Sequence, residues 1–221
     1  MPLSPADDAT TTVPTVYQLR VVLAGVSPLI WRQLLVPDET TIAGLHAVLQ
    51  TAFGWGGEHL HRFVIHGRYY GIAYAGGPGF RDNARQVRLA DLGLRPTERF
   101  TYDYDFTDGW RLDLRLEQIQ TATPGRTYPR CTGGRRAGPP EGSGGAWAFT
   151  EATEPHLVFA ATLRAAEVIG TMLDEDADNT RVCAYRDELA AVAPLLGLER
   201  FDRRTLNRAL AEQAPAARNV A

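Results

Sequence analysis

The chain contains no lysine, and all 23 of its basic residues are arginine. That excludes Schiff-base catalysis through a lysine and any phosphate loop of the lysine type. With abundant alanine and glycine, the bias reads as a property of the genome rather than as Arg-specific recognition. Cysteine is also scarce: only Cys131 and Cys183 are present. Two thiols make no disulfide framework, so a reducing compartment and a cytoplasmic location are expected. No apolar run approaches the ~18 residues needed to span a bilayer, and the first residues lack a basic-then-apolar signal pattern; no membrane partner is expected. The net charge of −3 argues against a broad phosphate-tracking surface, although a local basic patch remains open. There is no internal repeat.

What is present is an ordinary globular composition of 221 residues, with 44% hydrophobic and 22% charged, enough for a sizeable core. Residues 1–15 are small, polar and proline-bearing and read as a disordered tail. From Val16 onward, Tyr17, Leu19, Val21 and Leu23 alternate with polar positions, the period-2 pattern of a strand, and Leu29 to Val36 follows as a second. Thr40 or Thr41 is placed to cap a helix carrying Ile42, Leu45, Val48, Leu49, Ala52 and Phe53 on one face, with Gly54 as its stop. His46 flanks that stripe and reads as a boundary residue. Residues 60–66 and 68–74 are strand candidates about Gly67. After a Gly/Pro-rich stretch the chain turns helical over 155–172, 180–196 and 202–213. Strands first and helices later give an α+β fold: an antiparallel sheet of hairpins covered by a helix from the N-terminal half, with a mainly helical C-terminal third.

The stretch FTYDYDFTDGWRLDLRLEQI, residues 100–119, is a hairpin by its alternation. A two-residue turn would mix its faces. A three-residue turn at Thr107–Gly109 keeps one face apolar by setting Phe106 opposite Trp110, Tyr104 opposite Leu112 and Tyr102 opposite Leu114. In that register Asp105 meets Arg111, but Asp103 meets Asp113, a small electrostatic cost.

Several residues could carry chemistry. His59 and His61 are two apart and would share a strand face, where they could bind a metal together or, half-buried, simply form hydrogen bonds. Asp103, Asp105 and Asp108 suggest a calcium loop, but the hand-type pattern fails at Thr107, Asp108 and Leu114; they read as solvent-face and turn carboxylates. The stretch YPRCTGGRRAGPPEGSGG, residues 128–145, holds Cys131, Arg135, Arg136 and Glu141. It cannot close a structural zinc site alone and lacks the ending of a phosphate loop, so it reads as an ordered surface loop.

Four segments, YQLRVVLAGVSPLIWRQLLVP, LHAVLQTAFGWGGEHLHRF, YDYDFTDGW and YPRCTGGRRAGPPEGSGG, resemble the Ri-plasmid open-reading-frame-three-like family of the pRiA4b type. Its members include passenger proteins of insertion sequences, some labelled resolvase-like. The resemblance covers about residues 16–150, and GLERFDRRTLNRAL resembles the family's closing helix. It implies a compact α+β domain and no established reaction. Relatives often carry His where Leu112 stands, Cys where Gly138 and Ser143 stand, and Asp where Gly142 stands. With Cys131, those positions could form a metal cluster in relatives. Only Cys131 survives here, so the expectation is no cofactor, and no metal beyond weak binding through His59 and His61. No catalytic-serine segment supports the resolvase-like label.

The sequence therefore divides into a tail (1–15), a family domain (16–150) and a helical region packed on it (151–221). The leading expectation is a cytoplasmic, non-catalytic accessory or binding protein, linked to mobile DNA. Its surface would be lined by His59, His61, Asp105, Asp108, Trp110 and the 128–145 loop, with either nucleic acid or a protein as partner. One alternative is a divalent-metal hydrolase or nuclease using Asp103, Asp105 or Asp108 with His59 or His61. Another is a nucleic-acid-binding module using Arg126, Arg130, Arg135 and Arg136.

Overall fold

The computed structural model describes residues 14–173, 186–187, 189–190 and 200–213. The expected tail therefore lies almost wholly outside the described residues, as do Cys183 and most of the expected 180–196 helix. Seven strands form one sheet: β1 (Thr15–Leu23), β2 (Trp31–Pro37), β3 (His61–Ile65), β4 (Arg68–Tyr70), β5 (Arg99–Tyr104), β6 (Trp110–Thr121) and β7 (Arg130–Arg135). Their spatial order is β4-β3-β5-β6-β1-β2-β7, and every pairing is antiparallel. The helices are α1 (Ile42–Phe53), α2 (Gly145–Ala152), α3 (Pro155–Met172) and α4 (Arg203–Gln213). The fold is α+β.

Alternation assigns the two faces of the sheet. Leu19, Val21 and Leu23 of β1, Leu112, Leu114 and Leu116 of β6, and Phe63 and Ile65 of β3 are all buried on the face that α1 covers. The apolar stripe of α1 supplies Ile42, Leu45, Leu49 and Phe53. Thr41 accepts a hydrogen bond from Gly44 N at 3.0 Å and starts the helix, while Gly54, at φ 78°, ends it in the left-handed conformation. The opposite face carries Gln18, Arg20, Arg62, Arg99, Asp103, Arg111, Asp113 and Arg115 by the same alternation. Of these, Arg99, Arg111, Asp113 and Arg115 are exposed.

Two expectations are corrected. The β5–β6 hairpin pairs Tyr104 with Trp110, Tyr102 with Leu112 and Phe100 with Leu114, two residues away from the three-residue-turn register. The loop runs from Asp105 to Gly109, closed by Gly109 N donating to Asp105 O at 2.6 Å. Asp105 sits at φ 51°, and its carboxylate accepts from Thr107 N (3.1 Å) and Asp108 N (3.3 Å). This turn is built by the Asp side chain, as short polar residues allow. A shift of two preserves every face assignment but turns Phe106 out to 45% exposure. It also replaces the Asp103–Asp113 contact with Asp103 opposite Arg111, which favours the observed pairing.

The 128–145 stretch is not a surface loop throughout, because Arg130–Arg135 forms β7 and pairs with β2. At this sheet edge Asn207 of α4 stands in for a further strand. Its Oδ1 accepts from Cys131 N at 2.7 Å, and its Nδ2 donates to Cys131 O at 2.9 Å. Part of an otherwise open edge is thereby satisfied.

Candidate functional site

Two polar regions flank the β5–β6 hairpin, one on each face of the sheet. On the covered face, α1 presents His46 and Gln50, one turn apart, to Tyr102 of β5. Both are buried, so His46 is a core residue rather than the expected boundary one. Gln50 Nε2 donates to Tyr102 Oη at 2.7 Å, and His46 Nδ1 lies 2.7 Å from the same hydroxyl. The amide nitrogen donates, so the hydroxyl is free to give its own proton to His46 Nδ1, an arrangement that would put the imidazole proton on Nε2. His61, 1% exposed, stacks on His46. Its Nε2 accepts from Ile72 N at 3.3 Å, so its own proton is on Nδ1. His61 Nδ1 and Gln50 Oε1 are buried with no hydrogen-bond partner. Burial holds His46 at a pKa of about 4 and, with the neighbouring His46 adding to the effect, His61 at about 3. Both rings are neutral at physiological pH, and burial raises the Tyr102 pKa well above its ordinary value.

Glu141 closes this region from outside. Its Oε2 accepts from Gly56 N at 2.9 Å, its Oε1 accepts from the Tyr104 hydroxyl, and Trp55 Nε1 donates to Pro139 O at 3.0 Å. The PPE part of the loop is therefore a clamp on the turn after α1. Gly138 passes so close beneath it that a Cβ there would stand 2.0 Å from Phe53 O.

The open face has different chemistry. Asp103, only 7% exposed, is held between two arginines: Arg62 Nε meets Oδ2 and Arg111 Nε meets Oδ1, each at 2.8 Å. The Arg62 guanidinium carbon lies 5.2 Å from the Tyr69 ring centroid and 5.5 Å from that of Phe106, within cation–π range. These groups rim a shallow hollow of about 420 Å³ lined by Arg62, Asp103, Phe106, Trp110 and Arg111 among others. Further along the face, Arg20 lies 3.4 Å over the Trp31 ring.

The residues singled out in the sequence are thus dispersed. His59 is exposed on its side-chain surface, and its Nδ1 is 3.7 Å from Asp105 Oδ2, whereas His61 lies in the core; the two do not share a site. Asp105 and Asp108 serve the turn, with Asp108 Oδ2 accepting from Gly144 N at 3.1 Å. Trp110 is 1% exposed and borders the hollow only as part of its floor. Asp103 is bonded to two arginines rather than free on a solvated face. It also projects to the side of the sheet opposite His61, because His61 pairs with Tyr104. That geometry separates Asp103 from His61, whereas Asp105 does approach His59. Cys131 is buried, its Sγ donates to Gly133 O at 3.1 Å, and burial raises its pKa. Arg135 is exposed, but Arg136 is 4% exposed and donates to Pro28 O at 2.8 Å, so the pair is not a joint basic patch. Among the described residues no group of three metal-ligating side chains converges.

The positions at which the resemblance implies His and Cys in relatives can also be placed. Cys131 aligns with Leu34, Leu19 and Leu116 across β7, β2, β1 and β6. At ~4.8 Å per strand it lies about 14 Å from β6, and Leu112 is four residues further along. In this fold positions 112 and 131 cannot ligate one ion, which corrects the cluster inferred from the resemblance.

A family model matches residues 15–156, that of the plasmid pRiA4b ORF-3-like proteins. The chain belongs to this family. It is 33% identical to the uncharacterized protein y4hQ of Sinorhizobium fredii over 170 residues, covering 76% of this chain and 86% of y4hQ. It is also similar to the crystal structure of MM3350, a protein of unknown function from Methanosarcina mazei Go1. There the TM-score is 0.61 at 28% identity, covering 88% of this chain and 98% of MM3350. Among the described residues no helix is long and apolar enough to cross a membrane.

The sequence reading placed His46 beside the helix stripe and Tyr102 on the apolar face of the hairpin but did not join them, with Gln50, into one hydrogen-bonded group. The usable signal was local: two polar residues at i and i+4 beside an apolar helical stripe, and a tyrosine in a core alternation whose hydroxyl needs a partner.

Proposed function

We propose that the chain is a non-catalytic cytoplasmic accessory protein, associated with mobile genetic elements, that binds an anionic partner on the open face of its sheet. The observation that carries this reading is the Arg62 guanidinium lying between the Tyr69 and Phe106 rings at the rim of the hollow. A guanidinium flanked by aromatic rings is held flat and ready to receive an oxyanion. The groups that would serve catalysis have structural roles instead. Asp103 anchors two arginines, Asp105 builds a turn, and Glu141 ties the loop to Gly56 and Tyr104. The family's plasmid origin supports the link to mobile DNA, and the buried free thiol of Cys131 supports a reducing compartment.

Calorimetric titration with sodium tripolyphosphate tests the reading. Saturable binding is expected, weakened about tenfold by Arg62→Gln, the scale of one charged hydrogen bond. Absence of binding to both tripolyphosphate and heparin removes the proposal.

A further inference from the structure

The open face carries a second feature that the hollow does not explain. In the register of the sheet, Arg20 on β1 lies opposite Arg115 on β6, and Arg115 lies opposite Arg99 on β5. Three arginines thus stand side by side on adjacent strands, with backbones ~4.8 Å apart. Like charges directly opposite each other destabilise a sheet, so the row needs compensation. Arg20 has it, from the Trp31 ring and from Glu117. Arg115 shares the Glu117 carboxylate with Arg20, but neither it nor Arg99 is in a salt bridge among the described residues, and both are exposed. Four residues nearer the hairpin, about 13 Å along the strand, lies the second cationic row, Arg62–Asp103–Arg111. The row between them holds Val22, Asp113, Thr101 and Val64, and ends on Trp31 at one side and Tyr69 at the other. Tyr69 is 57% and Phe106 45% exposed.

We propose that this face binds single-stranded nucleic acid, with the phosphates over the Arg20–Arg115–Arg99 row and bases stacked on Phe106 and Tyr69. The inference deepens the anion-binding reading and rests on it. Charge complementarity selects a polyanion. Exposed rings interleaved with guanidinium rows select a strand with free base faces over a duplex, whose bases are already stacked, and over an acidic protein, whose carboxylates present no face to stack. The site differs from the Arg126–Arg136 segment suggested by sequence, since Arg136 is buried.

The test is fluorescence anisotropy with a labelled oligothymidylate about 12 nucleotides long, titrated over a range of salt. Three phosphates neutralised by the row give a slope of log affinity against log salt of about −2. Arg99→Gln and Arg115→Gln should each flatten that slope by about 0.7. Phe106→Ala should weaken binding about tenfold and leave the slope unchanged, because a ring releases no counterion. The inference is overturned if a duplex of equal length binds as tightly, or if Arg99→Gln and Arg115→Gln both leave the slope unaltered. If tripolyphosphate binds in an Arg62-dependent way while the oligonucleotide does not, the single-strand assignment falls and the anion-binding reading stands. If tripolyphosphate, heparin and the oligonucleotide all fail to bind, both fall.

Discussion

The imidazoles of His46 and His61 lie face to face in the core, their centroids 3.8 Å apart and their planes 13° from parallel. Two cations could not share that geometry, and burial holds the pKa values at about 4 and about 3. The ordinary value in the unfolded chain is about 6.5. Below it the unfolded state takes up protons that the folded state refuses, so stability is full above pH 6.5 and falls as the pH falls. Between pH 6.5 and 5, two such groups remove about 3 kcal/mol. Urea denaturation across that range should show the loss, and His61→Asn should roughly halve it. A midpoint independent of pH between 7 and 5 would sink this account.

Asp103 restrains two arginines that otherwise face outward. Asp103→Asn should destabilise the protein by about 1–3 kcal/mol, the scale of two weakened charged hydrogen bonds at a largely buried acceptor. It should also tighten tripolyphosphate binding, since it frees positive charge at the hollow. Denaturation and calorimetry on one sample separate the effects. Weaker anion binding in a folded Asp103→Asn protein would contradict the location of the site.

Much of this fold is legible in sequence because its elements are locally consistent. Thr41 and Gly54 bracket α1, and strict alternation from Tyr17 to Leu23 and from Trp110 to Leu116 assigns the sheet faces. The hairpin register was not legible, since the three-residue and five-residue loops give the same faces. What decided between them was the carboxylate of Asp105 bonding its own turn, together with the Asp103–Arg111 pairing. The candidate site was harder still. The Arg20–Arg115–Arg99 row joins the β5–β6 hairpin to β1, far from it in sequence, and exists only once their register is known. Strand β7 was hidden because its glycines, Gly133 and Gly134, read as loop. They are small because the Trp31 and Phe201 rings lie against them.

At the β7 edge the side chain of Asn207 bonds both backbone groups of Cys131. Asn207→Ala should destabilise the chain by about 1–3 kcal/mol, because it leaves two backbone groups unpaired. The loss should be local. Hydrogen exchange should accelerate in peptides spanning β7 and α4 while those spanning β5 and β6 keep their protection. Uniform acceleration across the sheet would mean that α4 is not an edge cover but part of the central core.

Gly138 is a position at which only glycine fits this path of the chain. A methyl group there would stand 2.0 Å from Phe53 O and 2.8 Å from Phe53 C. These are backbone atoms at the end of α1, which no rotamer change can move aside. Either the loop lifts, releasing the Trp55–Pro139 and Gly56–Glu141 bonds, or the last turn of α1 shifts and disturbs the Arg32 Nε bond to Ala52 O at 2.8 Å. Gly138→Ala should therefore cost about 2–4 kcal/mol, a fall in Tm of roughly 5–15 °C for a chain of this size. Gly142→Ala in the same loop meets no atom within 4 Å and is the control for backbone strain alone, since its φ is 73°. If scanning calorimetry finds Gly138→Ala no less stable than Gly142→Ala, the loop does not pack on α1 as described. The larger loss at position 138 would mean that the clamp on Gly56 and Tyr104 depends on the close approach of Gly138 to the end of α1.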